Sequence, residues 1–289
     1  MADQARLNIL FIMADQYRHD YLGWAGASHV RTPNLDRLAE RSMRFTQCTT
    51  NSPICAPARI GLASGYQPAR LGALDNAAYL PRSVTTYYQR LRDYGYRVGC
   101  VGKLDLAKPD PYNGRDGDRP CVYGWGFTHP EECEGKMHAG MSPAPQGPYG
   151  FYLQSRGLYQ TFHEDYEARA AEGWVRDARR DSPLPADAFE DVYIGRRAAV
   201  WLETVPLDFP WHYFVSFVGP HNPFDPPTEY AEHFRDAPMP DPIRDTAEGK
   251  PDWVKAKDQS LTPDEITVTQ RQYCASIEAI DDQVGRMMD

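Results

Sequence analysis

The stretch Leu7-Asn8-Ile9-Leu10-Phe11-Ile12-Met13-Ala14-Asp15-Gln16 is apolar at almost every position up to residue 14 and turns polar at residue 15. A strand with one wet face would alternate, and this one does not. The run therefore predicts a strand covered on both faces, as in a parallel sheet. Two later stretches share its shape. Tyr96 to Val101 runs into Gly102-Lys103, and the aromatic, β-branched run Trp211 to Val218 ends at Gly219-Pro220-His221-Asn222-Pro223.

Helical patterns separate these runs. Thr32-Pro33 offers an N-cap with proline at the first helical position, and Leu35 and Leu38 fall on one face. After Pro57, Ile60 to Ala63 reads as a short helix that ends at Ser64-Gly65, with Cys55 just ahead of it. Val84 to Tyr94 and Asp191 to Thr204 are also helical in pattern. Thr262-Pro263-Asp264-Glu265 has capping-box spacing and opens a long helix. The apolar face of that helix, Tyr273, Ile277, Ile280, Val284 and Met287, must be covered by something, by association or by further chain. Residues 109–150 are rich in Pro, Gly and Asp and read as a loop insertion.

Strand-helix alternation predicts one α/β domain over 1–289 with a mostly parallel central sheet flanked by helices. Ligands in such sheets bind beyond the carboxyl ends of the strands. Asp15, Lys103 and His221 would meet at that edge.

Hydrophobic residues at 42% and charged residues at 25% exclude a disordered chain. No run reaches membrane-spanning length, and the N-terminus lacks the flanks of a signal peptide, so the expected location is cytoplasmic. Lys and Arg number 31 against 40 Asp and Glu, a formal charge of -9, which argues against nucleic acid as a partner. An anionic substrate would have to be drawn by a few placed cations or by a metal. The six cysteines show no C-x-x-C pair and read as reduced thiols. There is no internal repeat and no P-loop.

Cys55-Ala56-Pro57-Ala58-Arg59 followed by Ser64-Gly65 is, by spacing alone, compatible with a buried cysteine before a proline-started helix. It also resembles the C-x-P-x-R signature of the sulfatase family. Asp15-Gln16 resembles that family's first metal-binding pair, and Thr32-Pro33-Asn34-Leu35-Asp36 its first-helix opening. Gly102-Lys103 resembles its G-K-x-H element and Pro220-His221-Asn222-Pro223 its P-H-x-P element. Four further matches in order make the chain similar to the N-terminal part of a sulfatase, from the first strand to the last helix. The resemblance is weakest between about residues 112 and 190.

The resemblance implies an alkaline phosphatase-like fold, incomplete at its C-terminal side, and hydrolysis of small sulfate esters. It implies that a maturation enzyme converts Cys55 to formylglycine, whose hydrate attacks. It also implies a divalent metal, with Ca2+ ahead of Mn2+ or Mg2+, held by Asp15, Gln16 and residue 55. Arg59 and Lys103 would hold the anion, and His221 would serve the leaving oxygen. Asp105 replaces the histidine of G-K-x-H. It would either take the proton that triggers collapse of the intermediate or only pair with Lys103.

Gln16 and Asn76, the latter a substrate contact by resemblance, are similar to features of the phosphonate monoester and phosphodiester hydrolase branch, whereas Lys103 favours the sulfatases. Asp15, Gln16 and residue 55 cannot alone give a hard cation its six to eight oxygens, so ligands from further chain are expected. The remaining alternatives are a non-catalytic binding or scaffold protein, and a homo-oligomer formed through the apolar face of the last helix.

Overall fold

The computed structural model describes residues 6–172, 179–243, 248–255 and 261–289. Its centre is a four-stranded sheet of β1 (Ile9–Met13), β2 (Arg97–Gly102), β3 (His129–Glu132) and β4 (Trp211–Ser216) in the order β1-β4-β2-β3. Every pairing is parallel, with Met13 opposite Ser216, Gly102 opposite Ser216, and Gly102 opposite Glu132. The carboxyl ends of all four strands therefore lie at one edge.

The unbroken apolar runs are explained by burial on both faces. Leu10, Ile12, Val101, Tyr213 and Val215 join one core cluster, while Phe11, Met13, Val98, Cys100 and Phe214 join another. The first cluster is closed by α8 (Glu190–Thr204) and α11 (Pro263–Met288), which pack on each other. The second is closed by α2 (Cys55–Ser64) and α3 (Tyr87–Asp93).

Three expectations change. Residues 109–150 are not a loop insertion: they hold α4 (Pro120–Gly124), β3, α5 (Lys136–Met141) and α6 (Pro148–Ser155). The strand His-Pro-Glu-Glu escaped notice because it has no apolar residue beyond its proline, and its buried Glu132 is satisfied by a bidentate Arg119 pair at 2.7 and 2.8 Å. Thr32 stands at the N-cap of α1 (Pro33–Glu40), but its hydroxyl bonds Asp36 instead. The cap comes from Asp281 on α11, whose carboxylate accepts from the Asn34 and Leu35 backbone N–H groups at 3.0 and 2.8 Å. Finally, the apolar face of α11 is covered within the chain: Ile280 and Val284 are buried in the cluster that holds α8 and the sheet, and Ile277 in a third cluster with Tyr21, Val30 and Phe234. That face gives no reason for a homo-oligomer.

The capping box of α11 forms as expected, Thr262 bonding the Glu265 N–H and Glu265 reaching back. All six cysteines are free thiols. Among the described residues no helix is long and apolar enough to cross a membrane.

Candidate active site

β1, β2 and β4 deliver Asp15, Lys103 and His221 to the same sheet edge, and the first turn of α2 delivers Cys55 and Arg59. The glycine before Lys103 is required. Gly102 has φ +93, and a Cβ there would lie 2.0 Å from the Ser216 carbonyl oxygen of the neighbouring strand. Cys55 opens α2 rather than preceding it, because the extended Ile54 is the N-cap residue. Ile54 has no side chain to cap with. Asn76 does that work from a distance, its Oδ1 accepting from the Ala56 N–H at 3.1 Å.

Asp15 is the hub. Its Oδ2 accepts from Lys103 Nζ at 2.6 Å and from Arg59 Nη2 at 3.2 Å, while Oδ1 lies 4.0 Å from Cys55 Sγ. Burial alone would raise the Asp15 pKa, but Lys103 and Arg59 beside it hold the carboxyl well below the usual range. Burial would likewise discharge Lys103, yet Asp105 and Asp15 keep its ammonium protonated.

Arg59 is 3% exposed and braces the strand ends, Nη1 donating to the Lys103 carbonyl at 2.5 Å and to Ser216 Oγ at 2.8 Å. Its expected hold on the anion is therefore indirect, through the groups it fixes. Asp105, at φ +52, pairs with Lys108 at 2.7 Å and Lys103 at 3.2 Å. Against the effect of burial these ammonium groups pull its pKa down to about 2, which makes it a weak proton acceptor and favours the ion-pair role.

His221 Nδ1 donates to the Asn222 carbonyl at 2.6 Å, leaving Nε2 with its lone pair. Burial, then the Lys103 charge, lower its pKa to about 4, so it is neutral at pH 7. In that state Nε2 can accept but not donate, and an arriving anion would favour the protonated ring. The two residues just before the histidine loop are held by Asp191 on α8, whose Oδ1 accepts from the Val218 and Gly219 N–H groups, each at 2.9 Å.

One ligand atom each from Asp15, Cys55 and His221 lie within 4.8 Å of one another. Asp15 is the one hard oxygen donor of the three, and its second oxygen is held by two cations, so the set fits one side of a hard divalent cation only with an oxygen in place of the Cys55 sulfur. Gln16 has φ +62 and an exposed side chain, and its carbonyl accepts from the Tyr273 hydroxyl at 2.7 Å.

The groups open on a pocket of about 160 Å³ lined by Cys55, Asn76, Lys103, Asp105 and His221. The structure thus brings together the expected residues from four separate segments, with Asp15 and Arg59 beneath them. Lys108, Lys136 and His138 line the same pocket and were missed. The signal was present in Gly135-Lys136-Met137-His138, a literal G-K-x-H quartet that follows a strand sequence cannot reveal.

A family model described as Sulfatase matches residues 7–289. A choline-sulfatase of Rhizobium meliloti (strain 1021) is 39% identical over 124 residues, covering 41% of this chain and 24% of that protein. An arylsulfatase of Klebsiella aerogenes is 27% identical over all of this chain and 63% of its own length. The phosphonate monoester hydrolase of Agrobacterium radiobacter shares the fold, with TM-score 0.74 and 23% identity over 98% of this chain and 58% of that one. The chain spans 53%, 58% and 63% of three relatives matched over nearly its whole length.

Proposed function

The chain belongs to the sulfatase family, and from that premise we propose that it hydrolyses sulfate esters at the pocket around Cys55. The observation that carries this reading is the meeting of Cys55, Asp15 and His221 within one ligand-sized cluster, with the Lys103 ammonium 2.6 Å from Asp15. Asp15, Gln16 and residue 55 would hold a divalent cation, calcium before manganese or magnesium, with ligands from other chain segments completing its shell. Converted to formylglycine by a maturation enzyme and hydrated, residue 55 supplies a nucleophile that a thiol does not, and the cation supplies charge stabilisation.

The residues of the chain do the rest. Lys103 stays charged and faces the pocket, where it offsets the charge of the ester anion and of its transition state. Arg59 fixes Asp15 and the Lys103 backbone in one frame, and Asn76 holds the turn that presents residue 55. His221, drawn toward protonation by the bound anion, serves the leaving oxygen. Asp105 keeps Lys103 and Lys108 in place.

Phosphonate monoester or phosphodiester hydrolysis in the same pocket is the second reading, favoured by Gln16 and by Asn76 at the pocket wall. A non-catalytic scaffold is the third, favoured by Asp105 in place of histidine. Comparing hydrolysis of 4-nitrophenyl sulfate with that of an aryl phosphonate monoester by the gene product co-expressed with a formylglycine-generating enzyme separates all three. Faster sulfate turnover, abolished in Cys55→Ala, is expected. Preference for the phosphonate supports the second reading, and no turnover of either supports the third.

A further inference from the structure

One wall of the pocket plays no part in the chemistry proposed above: Gly135-Lys136-Met137-His138, at the start of α5. Its residue types repeat the G-K-x-H element that at Gly102-Lys103-Leu104-Asp105 ends in a carboxylate. The repetition becomes spatial through the sheet. β2 and β3 are parallel with Gly102 opposite Glu132, and the Cys133 N–H donates to the Gly102 carbonyl at 2.9 Å, so both segments leave adjacent strands at the same edge.

Lys136 is already committed. Its Nζ donates to Asp225 Oδ1 at 2.6 Å and to the Pro223 carbonyl at 3.0 Å, and Tyr166 donates to the other Asp225 oxygen at 2.8 Å. It is a fixed post under the loop that carries His221. His138 is different. Its backbone carbonyl accepts from Ser142, but its ring makes no hydrogen bond with any described residue. An imidazole lining a polar pocket with both nitrogens unspent is open to a ligand.

Exposure orders the wall by depth: Lys103 and Lys136 are buried, Cys55 and His221 half-buried, and His138 exposed. An ester whose anionic end reaches residue 55 must extend its alcohol half outward, past the rim where His138 stands. Lys108, lining the same pocket, is occupied by Asp105 at 2.7 Å, whereas the His138 ring has no hydrogen-bond partner among the described residues.

We propose that His138 is a substrate-orienting residue that hydrogen-bonds an oxygen on the alcohol half of the ester, next to the scissile bond. It provides from a second strand end the imidazole that Asp105 does not, and it selects esters whose alcohol half carries a neighbouring hydroxyl. This rests on the ester-hydrolase reading, so the test has one arm without turnover.

Two probes differ by one hydroxyl beside the ester, 4-nitrocatechol sulfate (2-hydroxy-5-nitrophenyl sulfate) and 3-nitrophenyl sulfate. The matured protein is expected to show a KM about tenfold lower for the catechol ester, the effect of one hydrogen bond. His138→Ala removes that difference with little change in kcat, and His138→Gln, which keeps a donor and an acceptor, restores most of it. Calorimetric titration of both esters into protein carrying unconverted Cys55 should show the same preference and the same loss. If no ester is turned over but the calorimetric preference holds and depends on His138, the hydrolase reading fails and His138 stands. A preference that survives in His138→Ala, no preference in the wild type, or no binding of either ester overturns the proposal.

Discussion

Asp15 gives one carboxylate oxygen to two cations and turns the other toward Cys55, so its neighbours divide into those that brace and those that face the ligand. Lys103 does both. Lys103→Ala should lower kcat/KM for an aryl sulfate about 10²- to 10³-fold, the effect of losing one preorganised donor to a developing charge, as steady-state kinetics would read it. A loss below threefold would remove Lys103 from the anion's surroundings. Arg59 is a bracing residue. Replacing it with leucine strands the Ser216 hydroxyl, the Lys103 carbonyl and part of the Asp15 charge in a buried site. The expected cost is about 3–5 kcal/mol in urea unfolding. Legibility at this scale follows chain position. Asp15, Lys103 and His221 stood out because each ends an apolar run, whereas the role of Arg59 depends on Ser216, 157 residues away.

Among the elements, α8 sets the loop after β4. Asp191 accepts two backbone N–H groups there but is fully buried with its second oxygen unpartnered, and burial raises its pKa to about 6. The folded value lies above the ordinary 3.8, so the folded chain binds a proton more tightly than the unfolded one. This group's contribution is fully present below about pH 4 and lost as pH rises through about 6. Wild-type stability should therefore fall by about 3 kcal/mol on this account between pH 4 and 7, roughly two pKa units at 1.4 kcal/mol each. Asp191→Asn should flatten that part of the profile in urea titrations. An unchanged slope would mean the carboxyl is ionised at little cost.

The same scale shows why part of the fold escaped the sequence. β1, β2 and β4 are central or apolar enough to be read from burial, but β3 is an edge strand of His, Pro and two Glu. Its partner Arg119, not its hydropathy, makes it fit. Missing β3 meant missing α5, and with it Lys136 and His138. The cap of α1 differs from the sequence expectation for a related reason: Thr32 stands beside it, but Asp281 on α11 reaches the Asn34 and Leu35 N–H groups.

For the whole molecule, a chain with net charge -9 gathers four cationic side chains, Arg59, Lys103, Lys108 and Lys136, in and just beneath one pocket, and offsets them with Asp15, Asp105 and Asp225. Local placement overrides the global field, which is what binding an anion to an acidic protein demands. The parallel sheet makes this possible by bringing residues 15, 103, 138 and 221 to one edge, and α11, packed against α1 and α8, closes the face behind it. On the proposed function all of that serves residue 55. Mass spectrometry of the proteolytic peptide containing Cys55, from protein made together with a formylglycine-generating enzyme, examines it most directly. The mass of the aldehyde or its hydrate at position 55 is the predicted result, and an unmodified thiol throughout would contradict it.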